Sequence, residues 1–366
     1  MRIAYVLTSL GVGGAERQVL ALAGRMAERG HAVALVVLRP QLAEEWPTAL
    51  PVVHLDMRRS LPSVAQGLGR GRRFLLDFHA GIVHSHSFHA NIAARLLKLV
   101  VPAPVILSTI HNVYEGGRAR MFAYRLTDAL SRQTTAVSTA AAERFVRLKA
   151  VLQEKIVVVT NGIDTAEFAP DPERRARARE EMGAGREFIW LAAGRIAPAK
   201  DYPNLLRAFA QVRNASPQAQ LWIAGGGDPA GKKQVSLFAV ERGLVQQARW
   251  LGLRRDMPAL LDAADGFVLA SSWEGMPLAV GEAMAMEKPV VATDVGGVRE
   301  LMGDAGVLVP ATNSEALAEA MLEVMQRSAD ARLALGRSAR QRMVRDFSMD
   351  ARADRWEDLY RNLIGL

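Results

Sequence analysis

Residues 161–194, NGIDTAEFAPDPERRARAREEMGAGREFIWLAAG, hold the change of pattern that sets the architecture of this chain. From 161 to 187 glycine, proline and dense charge replace apolar periodicity, and the run FIWLAAG then restarts it, as happens where one domain gives way to another. On both sides of this break, short β-rich runs alternate with helix-length amphipathic segments. RIAYVL, AVALVVL, GIVHSH, PVILST, TTAV and KIVVV precede it; FIWLAAG, AQLWIAG, ARWLG, GFVLAS, PVVAT and GVLVP follow. That alternation is the βαβ pattern of parallel sheets. The runs are almost continuously apolar, as strands covered on both faces must be. The sequence therefore predicts an α/β chain of two doubly wound, Rossmann-like domains facing each other across a cleft, residues 1–165 and 166–349. The last segment, DARADRWEDLYRNLIGL, reads as a helix with Trp356, Leu359, Tyr360 and Leu363 on one side.

Composition narrows the function. At 366 residues the chain exceeds the size at which one core keeps growing. Half of the residues are hydrophobic and 23% charged, the balance of a globular α/β protein. The absence of cysteine excludes disulfides, thiolate metal sites and cysteine nucleophiles, and fits a reducing, cytoplasmic compartment. The N-terminal apolar run ends in a Gly-rich turn without a cleavage pattern, so it reads as a strand and not a signal peptide. No stretch approaches eighteen apolar residues, so membrane contact is expected to be peripheral.

The charge is uneven. Residues 1–165 carry 20 Lys and Arg against 11 Asp and Glu, and residues 166–366 carry 26 against 27, so the net +8 is N-terminal. Within that half, MRRSLPSVAQGLGRGRRFLLDF (57–78) sets Arg58, Arg59, Arg70, Arg72 and Arg73 beside Phe74, Leu75 and Leu76. Such a mixture suits an anionic lipid surface, and equally a solvated basic face. Nucleic acid is disfavoured, because aromatics do not interleave with the arginines and no recognition motif is present.

Open α/β sheets bind ligands beyond the carboxyl ends of their strands, and the chemistry-bearing motifs follow strands here. GVGGAERQ (11–18) sets Gly13 and Gly14 at a helix start, where backbone N–H groups can approach an anion. Glu16 occupies the third glycine position of a dinucleotide fingerprint and no acidic residue follows the second strand, so NAD binding is disfavoured. Arg195 and Lys200, in GRIAPAKDYPNLLRAF (194–209), offer a planar fork and a point charge to a departing diphosphate. SSWEGMPLAVGEAMA (271–285) places Glu274 on a loop and Glu282 one helical turn or more beyond Pro277, so both can flank one extended ligand. A buried carboxylate needs donors, and sugar hydroxyls would supply them. His111 lies just past a strand end in STIHN (108–112), and VHSHSFHAN (83–91) adds His84, His86 and His89. For each of these a structural role is the competing reading.

These motifs, in order with TTAVS (134–138), NGID (161–164), IAGGG (223–227) and LGLRRDMPALLDAAD (251–265), make the chain resemble a retaining glycosyltransferase of the GT-B fold, in the GT4 family, over essentially its whole length. The resemblance implies that Glu282 holds the nucleotide ribose. Glu274, with the backbone of Gly275, Met276, Pro277 and Leu278, would hold the donor sugar and the distal phosphate. Arg195 and Lys200 would neutralise the leaving diphosphate, Gly13 and Gly14 would close on it, and His111 would touch the donor sugar. Leu253 and Arg254 would lie against the base, with His86 and Ser138 as acceptor contacts. The last helix would return to the N-terminal domain. No DxD motif occurs, so neither metal nor other cofactor is expected. The donor would be a nucleotide sugar, UDP-linked, and the acceptor a glycan or lipid-linked glycan of cell-surface polysaccharide, met at the inner face of the cytoplasmic membrane. A nucleotide-sugar epimerase or hydrolase on the same architecture, or a catalytically idle nucleotide-sugar-binding subunit, are the rival readings.

Overall fold

The computed structural model describes all residues except 12, 43–44, 102–103 and 366. The chain divides into two compact units, Met1–Gly162 with Met349–Leu366, and Ile163–Ser348. Unit 1 is a seven-stranded sheet built from β1 (Arg2–Leu7), β2 (Ala32–Val37), β3 (Val52–His54), β4 (Ile82–His86), β5 (Val105–Ile110), β6 (Gln133–Ala136) and β7 (Ile156–Val158). Its order is β3-β2-β1-β4-β5-β6-β7, and every pairing is parallel. The helices α1 (Gly14–Glu28), α2 (Leu61–Asp77), α3 (Phe88–Leu97), α4 (Arg118–Thr127) and α5 (Thr139–Arg147) connect the strands.

Unit 2 repeats the scheme with β8 (Ile189–Ala193), β9 (Gln220–Ala224), β10 (Ala248–Gly252), β11 (Gly266–Leu269), β12 (Val290–Thr293) and β13 (Val307–Val309). These six parallel strands run β10-β9-β8-β11-β12-β13. Eight helices serve them: α6 (Pro172–Glu181), α7 (Tyr202–Ala215), α8 (Pro229–Glu241), α9 (Met257–Ala263), α10 (Leu278–Ala285), α11 (Val298–Met302), α12 (Ser314–Gln326) and α13 (Ala329–Asp346). Apolar side chains of β8, β9 and α7, among them Ile223, Leu206, Phe209 and Val212, join Leu317 and Met321 of α12 in one core. The order of strands reverses between β1 and β4 in unit 1 and between β8 and β11 in unit 2, which fixes where each sheet opens a crevice for a ligand.

The last helix, α14 (Met349–Ile364), returns to unit 1 and buries Ala353, Trp356 and Tyr360 in the core made by β1, β2 and α1. The crossing itself is short: Ile163 N–H donates to the Phe347 carbonyl at 2.8 Å, and Ile163 bridges Ser348.

Two segments differ from their sequence pattern. The charge-dense stretch after residue 170 is a helix and not a linker. Asp171 caps α6 by accepting from Glu173 and Arg174 N–H groups, and Pro172 fits its first turn. Arg174 then bonds Asp262, Arg175 and Arg179 both reach Asp265, and Arg175 also takes the carbonyls of Asp262, Ala263 and Ala264 at the end of α9. The helix is held by guanidinium forks, so it has no apolar stripe to read. In α2 the residues Phe74, Leu75 and Leu76 separate: Leu75 is core, Phe74 packs on that core and Leu76 faces out. Most of the apolar part of that basic segment is thus spent inside unit 1.

Candidate functional site

In unit 2 the loops after β8, β11 and β12 are bolted together at the carboxyl edge of the sheet. The chain leaves β8 through a 3₁₀ turn, Pro198–Lys200, and enters α7 at Asp201, a non-glycine residue with φ of 43°. That left-handed backbone is held by use of the Asp201 side chain, which accepts from Asn204 N–H and from the Ser272 hydroxyl at 3.1 Å. Ser272 N–H donates to the Ala199 carbonyl at 2.8 Å. Lys200 Nζ then lies 2.6 Å from Glu274 Oε1, and the same oxygen accepts from the Ser271 hydroxyl at 2.7 Å. Glu274 is 8% exposed, so its charge is satisfied mainly by these two donors.

From the other side, Thr293 at the end of β12 donates to the Ser271 carbonyl at 2.6 Å, and Gly297 N–H donates to the Gly275 carbonyl at 2.8 Å. Gly296 has φ of 55°, and a Cβ there would overlap the Glu274 carbonyl oxygen. The position therefore demands glycine twice over, for its backbone and for the close approach. Gly296→Ala is expected to destabilise unit 2 by about 2–4 kcal/mol, and to displace Glu274; a melting profile unchanged from wild type would count against this support.

Pro277 caps α10, and Leu278 opens it, so the first N–H groups of the helix emerge beside Glu274. Glu282 sits one turn further along and is 6% exposed. Gly275, Met276 and Pro277 are buried, and Leu278 is partly so. Arg195 is exposed on the loop after β8 and has no ion-pair partner among the described residues. Leu253 is exposed after β10, where Arg254 forms a two-point pair with Asp256. Of the residues singled out in this half, Lys200, Glu274 and the start of α10 are brought together directly, while Leu253 and Arg254 stand on the β10 side of the sheet.

In unit 1 the histidines form one chain of contacts. His84 Nδ1 meets the Tyr360 hydroxyl at 2.7 Å and its Nε2 meets Thr109 Oγ1 at 2.7 Å, while Tyr360 touches the Tyr5 hydroxyl at 3.0 Å. The His84 and His86 rings lie 4.0 Å apart, and His86 Nδ1 is 2.9 Å from His111 Nε2. His86 Nε2 meets no protein partner among the described residues. Burial holds all three imidazoles neutral, with His111 lowered to about 4. With its Nε2 engaged by His86, His111 has only Nδ1 to offer a ligand.

His111 is also held through its backbone, because its N–H donates to Glu115 Oε1 at 3.0 Å. The other carboxylate oxygen of Glu115 accepts from the Tyr124 hydroxyl at 2.6 Å, and Tyr124 accepts from Asn91 at 2.9 Å. Burial raises Glu115 to about 7, against the opposing pull of these donors. Sequence reading missed Glu115; the only signal was an acid four residues after His111 in a glycine-bounded turn.

Two of the expected contacts are engaged within the protein. His86 and Ser138, the expected acceptor contacts, are both buried. The Ser138 hydroxyl caps α5 by accepting from Ala141 N–H at 3.3 Å, and His86 is committed to His111. Gly13 caps α1 and Gly14 begins it, with the Glu16 carboxylate packed against Gly13.

Comparison with known proteins follows the same division. Residues 12–167 match the family model described as Glycosyltransferase Family 4, and residues 187–327 the model described as Glycosyl transferases group 1. Over 296 residues the chain is 25% identical to the UDP-Gal:alpha-D-GlcNAc-diphosphoundecaprenol alpha-1,3-galactosyltransferase of Escherichia coli, covering 77% of this chain and 76% of that protein. It is 34% identical to the D-inositol 3-phosphate glycosyltransferase of Saccharomonospora viridis over 232 residues, 60% of this chain and 53% of the relative. The structure of HepE from Anabaena, solved in complex with UDP-glucose, superposes with a TM-score of 0.87 at 19% identity, covering 98% of this chain and 99% of that one. Two parallel-sheet units with this strand order and this structural neighbour show the GT-B fold. The chain belongs to the GT4-type glycosyltransferases.

Proposed function

We propose that this enzyme is a retaining, metal-independent transferase that moves a hexose or N-acetylhexosamine from a UDP-sugar to a glycan or lipid-linked glycan acceptor in cell-surface polysaccharide synthesis. The observation that carries the reading is the Lys200–Glu274 pair, set beside the start of α10 and supported by three loops. A cation, a buried carboxylate and helix N–H groups in one place suit a ligand with a diphosphate at one end and hydroxyls at the other. The galactosyltransferase relative, named for a UDP-sugar donor and a diphospholipid acceptor, and the UDP-glucose complex of the neighbour support the choice of donor and acceptor class.

In this reading Glu282 accepts the ribose hydroxyls and Glu274 the hydroxyls of the sugar that moves. Breaking the anomeric C–O bond leaves an oxocarbenium-like sugar and passes the electron pair to the diphosphate, whose charge Lys200, Arg195 and the N–H groups near Leu278 receive. The cations do the work that a metal does elsewhere. The acceptor hydroxyl attacks the face the diphosphate leaves, and the diphosphate oxygen takes its proton, which retains configuration without a protein nucleophile. His111 contributes a neutral imidazole to the sugar, Gly13 and Gly14 contribute N–H groups, and Leu253 with Arg254 flank the base. No described helix is long and apolar enough to cross a membrane, and we place the enzyme in the cytoplasm, peripheral on the inner membrane face.

The test separates the two glutamates. In EDTA-containing buffer, UDP-, GDP- and ADP-sugars are screened by thermal shift, where a true donor raises the melting temperature by mass action. Glu282→Ala is expected to weaken UDP binding by about 10–100-fold, the worth of hydrogen bonds to a charged acceptor. Glu274→Ala should leave UDP affinity nearly intact and lose transfer. Equal losses of UDP affinity in both variants would overturn the assignment.

A further inference from the structure

A neutral imidazole has two nitrogens and one proton between them, and the nitrogen that holds the proton decides where the ring gives a hydrogen bond and where it takes one. His111 Nε2 lies 2.9 Å from His86 Nδ1, and only one of these two nitrogens can carry the shared proton. If His111 supplies it, His86 keeps its own proton on Nε2. If His86 supplies it, His86 Nε2 is bare and His111 carries its proton on Nδ1. The contact therefore fixes what His111 shows to a ligand, and the far side of His86 tells the two cases apart.

That far side, Nε2, is closed to solvent and meets no partner among the described residues. Packing keeps the ring from turning to find one. His86 is 3% exposed and lies against His84 and Tyr5, with ring centroids 4.0 Å and 6.0 Å away. The backbone just beyond it is pinned as well: Ser87 has φ of 69°, its N–H donates to the Thr109 carbonyl at 3.0 Å, and Asn91 Nδ2 donates to the same oxygen at 3.0 Å. A buried N–H without an acceptor is rarer in folded proteins than a buried acceptor with a free lone pair. The bare nitrogen thus belongs at His86 Nε2 and the proton at Nδ1. The basicity of His111 points the same way, because burial lowers it to about 4, which makes a bare nitrogen a weak acceptor and an N–H a better donor.

We propose that His86 is a positioning residue that locks His111 in the tautomer with its proton on Nδ1, so that His111 meets the donor sugar as a hydrogen-bond donor and not as a base. Free in water, a neutral imidazole favours the proton on Nε2, and His86 reverses that preference. The inference rests on the transferase reading and gives His111 a defined part in it. An Nδ1–H binds a sugar oxygen, and it has no lone pair with which to take the proton of the acceptor hydroxyl. That proton is left to the diphosphate oxygen. The same N–H selects among donors, since the sugar needs an oxygen with a lone pair turned to His111.

The test is a nitrogen-15 long-range correlation spectrum of the full chain with labelled histidine, in which bare and protonated imidazole nitrogens resonate far apart. The chain has seven histidines, and His111→Gln assigns the signals of position 111 by their loss. In the wild type near neutral pH, His111 is expected with Nδ1 protonated and Nε2 bare. His86→Ala opens room for water beside His111 Nε2, and most of the His111 proton should then move to Nε2. Turnover of that variant should fall by about tenfold, the worth of one neutral hydrogen bond. Its UDP affinity should stay as in the wild type, which also checks folding. A wild-type spectrum with His111 protonated on Nε2 overturns the inference, and it decides even where the alanine variant fails to fold. A proton that stays on Nδ1 in His86→Ala overturns it too. Either result leaves the transferase reading standing; a wild type whose melting temperature no UDP-sugar raises removes that reading, and with it the part given to His111.

Discussion

Lys200→Ala is expected to lower kcat by about 10²–10³-fold, the usual cost of removing one preorganised group from a developing oxyanion. The size follows from two losses at once. In the proposed mechanism the departing diphosphate loses a point charge, and Glu274 loses the closer of its two donors, leaving the Ser271 hydroxyl at 2.7 Å beside a carboxylate only 8% exposed. An orphaned buried charge is costly in its own right, so the variant should also melt earlier. The double variant Lys200→Ala/Glu274→Gln separates the effects, because the amide needs no cation. Stability should return while turnover does not. Lys200→Arg should recover little, since a planar fork cannot occupy the site of a compact ammonium held at 2.6 Å. A single variant with turnover within about threefold of wild type would remove Lys200 from the chemistry.

The second large effect is one of pH. Glu115 is raised to about 7 in the folded chain from an ordinary 4.5, so the folded state binds the extra proton between those values. Its contribution to stability is full below pH 4.5 and is lost as pH rises through 7, about 3 kcal/mol in all. His111, lowered to about 4 from 6.5, has the opposite slope: stability grows as pH rises from 4 to 6.5. The two groups meet through the His111 N–H, and their slopes oppose each other between pH 4.5 and 6.5. Glu115→Gln keeps the shape and removes one slope. Relative to wild type, the variant should therefore gain about 3 kcal/mol between pH 4.5 and 7.5. Exchange protection of β5 and β6 amides reads this in unit 1 alone, and a pH-independent difference between the two proteins would refute it.

Most of the fold was legible because parallel strands covered on both faces need uninterrupted apolar runs. Most of the strands announce themselves so; β4 (IVHSH) and β6 (QTTA) are read from the βα alternation around them, and β3, three half-buried residues at the sheet edge, is not legible either way. The E-x7-E stretch was legible through punctuation: Pro277 marks the helix start, and the two glutamates stand out from small and apolar neighbours. The clasp around Glu274 was not, because Ala199, Ser272, Thr293 and Gly297 meet only when β8, β11 and β12 align. The histidine chain was hidden for the same reason, since Tyr360 and His84 are 276 residues apart. The packing of His86 and Ser138 was hidden as well. The resemblance implied acceptor contacts for both; the Ser138 hydroxyl also caps a helix, and His86 Nδ1 also meets a neighbouring ring.

The return of α14 to unit 1 bears on how the molecule is made. Unit 2 is one uninterrupted stretch, complete as soon as Ser348 has been synthesised. Unit 1 begins first and finishes last, since Trp356 and Tyr360 close the core opened by Ile3 and Tyr5. Vectorial synthesis favours domains that finish in order of appearance. Here the N-terminal half must wait, with an apolar sheet face uncovered, until residues 349–364 have left the ribosome. The histidine chain that ends at His111 is thus wired to a helix translated more than 200 residues later, and a chain cut short before Tyr360 would carry an intact unit 2 on an unfinished partner.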